Sequence, residues 1–95
     1  MSNATASKQS SEMVKTLIGS LQDALESDGY VYTENAGYPF PFIKDAGDGS
    51  TNEFILNFDE GTVTRERYNA NGTQLMSQVT KVRHTSDLNA VLRHL

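Results

Sequence analysis

The 95-residue chain has no cysteine, only two prolines, and eight basic residues against twelve acidic ones. Without thiols there is no disulfide framework, no thiolate zinc site and no cysteine nucleophile, and the redox compartment stays open. No apolar run reaches the roughly 18 residues that a membrane helix needs. The opening MSNATASKQSSE lacks the apolar core, about 7–15 residues long, of a secretory signal. A cytoplasmic protein without membrane association is the expectation. A net charge of −4 and a sequence pI near 4.9 speak against a general phosphate-backbone binder. Hydrophobic residues make up 37%, enough for one small domain to bury a core and too many for wholesale disorder.

The charge is unevenly placed. Residues 1–60 hold 3 basic and 10 acidic side chains, whereas residues 61–95 hold 5 and 2. The chain is thus acidic in its first part and basic in its last third.

Residues 1–9 are small and polar and read as a flexible tail, leaving 10–95 as a single domain. Met13, Val14, Leu17, Ile18, Leu21, Ala24 and Leu25 recur at helical spacing, so a helix starting near Ser10 or Ser11 turns one stripe to a core. Gly29 is placed to end it in the left-handed conformation. Residues 30–33 predict a short strand, and Asn35-Ala36-Gly37 a turn. In Tyr38-Pro39-Phe40-Pro41-Phe42-Ile43 the alternate prolines exclude helix and the middle of a sheet, which leaves an edge strand or a polyproline stretch.

From residue 53 onward the pattern is a β-meander with a closing helix. Phe54, Leu56 and Phe58 alternate. A two-residue Glu60-Gly61 loop would set Leu56 opposite Arg65 and Phe54 opposite Arg67. A three-residue loop with Gly61 left-handed sets Phe58 opposite Thr62 and Leu56 opposite Thr64, keeping arginine off the buried face, and is preferred. Asn71-Gly72 marks the next hairpin, with Tyr68 opposite Leu75 and Thr64 opposite Val79. On this register Phe54, Leu56, Phe58, Tyr68, Leu75 and Val79 face the core, with Glu66 and Ser77 as misfits among them. Ile55, Val63, Arg65, Arg67, Met76, Gln78 and Val82 face outward. Thr85 or Ser86 caps the last helix, with Asp87 in its first turn.

The expected fold is α+β: an N-terminal amphipathic helix and a short C-terminal helix on one face of a three- to four-stranded antiparallel sheet, in the order α-β-β-β-β-α. That order is similar to that of double-stranded RNA-binding domains. Their last helix opens on lysines, however, where this chain has Thr85-Ser86-Asp87-Leu88-Asn89-Ala90.

Chemical motifs are few. Asp45-Ala46-Gly47-Asp48-Gly49-Ser50 fails the calcium-loop pattern at every ligand position after the first. His84 and His94 lie outside any zinc spacing, and no serine sits in a nucleophile elbow. Neither catalysis, a metal nor a cofactor is expected. Glu66 is the one carboxylate that would be desolvated if it faced the core.

A non-catalytic protein-binding module is the leading expectation, a regulator or inhibitor that occludes a macromolecular partner or associates with itself. Its contact residues are Ile55, Val63, Arg65, Arg67, Met76 and Gln78 on the half-apolar sheet face, with Tyr38, Phe40 and Phe42 from the aromatic–proline stretch. Two alternatives remain. Arg65, Arg67 and Tyr68 could form a weak nucleic-acid patch, and the 38–52 segment could border a small-ligand or enzyme pocket.

Overall fold

Ile18, Leu21 and Leu25 are fully buried along one stripe of α1 (Ser2–Ser27), and this stripe fixes how the helix lies on the sheet. The computed structural model describes residues 2–33 and 39–95, with side chains from residue 12 onward. Helix α1 begins ahead of Ser10, because residues 2–9 contain neither glycine nor proline to stop it. At its other end the amide of Tyr30 donates to the carbonyl of Leu25 at 2.9 Å, and that of Gly29 to Glu26 at 3.2 Å. With Gly29 at φ +94° this is the Schellman closure that glycine favours.

The sheet is an antiparallel meander of five strands, one more than the expected maximum. They are β1 (Val31–Tyr32), β2 (Phe40–Asp45), β3 (Thr51–Asn57), β4 (Thr62–Tyr68) and β5 (Gln74–Lys81), neighbouring in chain order. Helix α2 (Thr85–Leu92) follows and packs, with α1, on one face. The expected turn at Asn35-Ala36-Gly37 and the side chain of Tyr38 lie outside the described residues.

Strand β2 is interior and yet contains Pro41, contrary to the edge position expected of it. The direction of its backbone explains this. The Pro41 carbonyl accepts from Thr33 at 3.0 Å, so the missing N–H also points toward β1, beyond that strand's two-residue end. The ladder to β3, where Pro41 pairs with Ile55, loses nothing.

The β3–β4 register differs from the expected one by a single residue. Asn57 pairs with Thr62, closing a four-residue turn in which the Gly61 amide donates to the Asn57 carbonyl at 2.9 Å. Leu56 therefore stands opposite Val63, and Phe54 opposite Arg65. A one-residue slip reverses a strand's faces, so β4 and β5 are inverted relative to the expectation. Val63 and Val82, expected outside, are each 1% exposed in the core, while Leu75 and Val79, expected inside, are 55% and 62% exposed. Arg65 and Arg67 lie on the helix-covered side, where long aliphatic stems can pack while the charged ends reach the margin.

The core joins Ile18, Leu21, Leu25, Tyr30, Phe42, Phe54, Leu56, Val63, Val82, Leu88 and Val91. Burial of each large aliphatic or aromatic side chain contributes about 1.5–3 kcal/mol. Helix α2 is capped differently from the expectation: His84 occupies the cap position, and the Asp87 carboxylate accepts from the amides of Arg83 at 2.9 Å and His84 at 3.1 Å. The Asp87 carboxylate thus holds the amides just ahead of the first turn, whereas a capping Thr85 or Ser86 hydroxyl would have accepted from amides within it.

Candidate functional site

Antiparallel pairing sorts the side chains into rows. The row Tyr32–Phe42–Phe54–Arg65–Gln78 runs across all five strands on the helix-covered face, beside Phe40–Leu56–Val63–Thr80. The other face is uncovered by either helix and carries Val31–Ile43–Glu53–Glu66–Ser77, beside Pro41–Ile55–Thr64–Val79.

The expected contact set is therefore split. Ile55 lies on the uncovered face, half-buried between Pro41 and Thr64. Val63, Arg65, Arg67, Met76 and Gln78 lie on the opposite side, and Val63 belongs to the core. Phe42 is buried, and Phe40 is half-buried, meeting Tyr32 at 5.6 Å and Phe58 at 5.9 Å edge-on. Phe42 belongs to the core, and Phe40 packs against it at the end of the sheet. Of the three residues of the nucleic-acid patch, Arg65 and Arg67 share one face, while Tyr68 lies on the other.

The uncovered face holds the densest polar chemistry. Glu66 accepts from the Tyr68 hydroxyl at 2.6 Å and from Ser77 Oγ at 3.1 Å, and it stands directly opposite Glu53. Burial, followed by Glu66 as hydrogen-bond partner and like charge, pushes the Glu53 carboxyl above its usual range. The bond to Glu66 and partial burial push the Tyr68 hydroxyl up to about 12. Glu53 and Tyr68 border an open cup of about 350 Å³ with Ile43, Thr51, Asn69 and Ala70. The cup brings the Glu53 carboxyl together with the hydroxyl-bearing side chains of Thr51 and Tyr68. It is open, and through Ile43, Gly49 and Thr51 it borders the 38–52 segment, where a small-ligand or enzyme pocket is the alternative expectation.

Strand β5 is the second feature. Among the described residues it pairs only with β4, and its eight residues are mostly exposed. The Val82 amide donates to the Gly61 carbonyl at 2.8 Å, so even-numbered β5 residues direct their backbone groups toward β4. Ser77, Val79 and Lys81 direct theirs outward. A register shift opposite Arg67 and Tyr68 leaves Leu75 as an extra residue and bends the strand's beginning. The regular free edge runs from 76 to 81.

On the covered side, Arg67 Nη2 donates to Ser50 Oγ at 3.4 Å, whereas Arg65 Nε and Arg67 Nε are buried without an acceptor. The one ion pair among the described residues joins Lys44 to Asp28 at 3.1 Å. No group of three or more histidine, aspartate or glutamate side chains among the described residues converges as a metal site would. No described helix is long and apolar enough to cross a membrane. Compared with known proteins, the chain matches no family model, no curated protein and no solved structure.

Proposed function

We propose that this chain is a non-catalytic protein-binding module that works by strand addition at β5, and that a second copy of the chain is the occupant of that edge. The observation that carries the reading is the free edge at 76–81, with outward backbone groups at Ser77, Val79 and Lys81 beside the exposed Val79 side chain. An unpaired edge of this kind is a template for another strand, and apolar side chains at alternate positions give the pairing its contact.

Charge favours a second copy. Lys81 is the only charged residue of β5. Antiparallel self-pairing about Gln78 sets it against Leu75 of the other copy, and pairing about Val79 sets it against Ser77, so no like charges meet. Such a pairing spans residues 77–81 about Val79 or 75–81 about Gln78 and makes a small interface, which suits a weak, concentration-dependent dimer. A module with such an edge acts as a regulator or inhibitor by occluding whatever surface it covers.

Sedimentation equilibrium over a concentration series tests this. The wild-type mass should rise toward that of a dimer, and Val79→Lys, at an exposed position, should stay monomeric with unchanged circular dichroism. A wild-type chain that remains monomeric throughout, or a variant that dimerises equally well, would overturn the reading.

A further inference from the structure

Between α2 and the β4–β5 half of the sheet lies a cleft of about 50 Å³. Its floor is apolar, from Phe54 and Val63, and its polar lining consists of Arg65, Gln78, Thr80 and His94. The sheet register brings them together: Arg65 is paired with Gln78 across β4 and β5, and Thr80 lies two residues farther along the same face. His94 comes from the opposite wall, in the turn that ends α2.

All four side chains can donate a hydrogen bond, and no carboxylate among the described residues lines the cleft. Among the described residues, none of the four makes a side-chain hydrogen bond, and Arg65 has no carboxylate within 4 Å. Arg65 Nε is buried without an acceptor. A half-buried guanidinium without a counter-ion carries a desolvation cost that an anion would offset. Arg67 on the same face strengthens the positive field.

We propose that this cleft binds a phosphoryl group, either as inorganic phosphate or at the end of a phosphomonoester. The donors arrive from the sheet on one side and from α2 on the other, an arrangement that a tetrahedral oxyanion can satisfy. A planar carboxylate would engage the Arg65 fork and leave the other wall unserved. The narrow cleft takes a terminal phosphoryl group and excludes the run of phosphodiesters in a nucleic-acid backbone.

The test is a titration of the ¹⁵N-labelled full chain, followed by amide chemical shifts. Sodium phosphate and phenyl phosphate are compared with sodium acetate and with sodium chloride at matched ionic strength. Phosphate should give saturable shifts confined to residues 63–65, 78–80 and 90–94. Phenyl phosphate doing the same shows that monoesters enter, and a response to phosphate alone restricts the site to the inorganic ion; either result supports the proposal. Gln78→Glu, at an exposed position, should weaken binding about tenfold or more by placing a carboxylate at the cleft. Arg65→Gln should weaken it at least as much. Shifts that chloride or acetate reproduces, or that persist undiminished in folded Gln78→Glu, would overturn the proposal.

Discussion

Glu53 and Glu66 stand directly opposite one another on the uncovered face, and Glu66 is held there by Tyr68 and Ser77. Like charges in facing positions destabilise a sheet, and partial burial adds to the effect at Glu53. The folded chain holds the Glu53 proton more tightly than the unfolded chain does. The resulting stabilisation is complete below the ordinary glutamate range and is lost as pH rises through the raised value. Glu53→Gln should therefore flatten the fall in stability above about pH 4.3. At neutrality the variant should be more stable by about 0.5 kcal/mol. Urea unfolding at a series of pH values checks this; identical pH slopes in the two proteins would contradict it.

Gly61 has φ +70°, and a Cβ added there would lie 2.8 Å from Val14 Cγ1 on α1. Gly61→Ala should cost about 2–4 kcal/mol, combining the left-handed backbone with overpacking. In chemical denaturation, Val14→Ala combined with Gly61→Ala should cost less than the two single losses added together, because the clash needs both groups.

Val63→Asp and Val79→Asp separate the two registers. Val63 is buried beside Leu56, so aspartate there should cost more than about 3 kcal/mol, and in a domain this small it should largely unfold the chain. Val79→Asp should shift the thermal midpoint little. The expected sequence register, with Val79 inside and Val63 outside, requires the reverse.

Asp87 anchors the start of α2. The amides of Arg83 and His84 hold its carboxyl below the usual aspartate range. Its contribution is present above the ordinary aspartate value and fades as pH falls through the lowered one. Asp87→Ala should speed amide hydrogen exchange at Arg83 and His84 at neutral pH, and lowering the pH should narrow the difference from wild type. Unchanged exchange at both amides would show that the carboxylate is not their acceptor.

The helices and most of the strands were legible from periodicity, because Ile18, Leu21 and Leu25, and likewise Leu88 and Val91, repeat at helical spacing and are buried. The β4–β5 pairing was also legible: Thr64 meets Val79 and Glu66 meets Ser77 as Asn71-Gly72 implies, up to the register shift at Tyr68. The β3–β4 turn was not. Excluding arginine from the covered side ignored the length of its side chain, and that assumption inverted two strands. Glu53 drew no attention because its neighbour Glu66 is distant in sequence and is brought opposite only by the true register. The cleft at Arg65 was hidden because the expected register, though it paired Arg65 with Gln78, turned both outward, away from α2 and His94.

Amide hydrogen exchange along β5, measured from low micromolar to near-millimolar chain concentration, tests most directly whether this edge is the contact surface. The amides of Ser77 and Val79 point away from β4, so only another strand can protect them. Their exchange should slow steeply as concentration rises, while that of Gln78 and Thr80, already bonded to β4, changes little. Fast, concentration-independent exchange at Ser77 and Val79 would contradict self-pairing at β5.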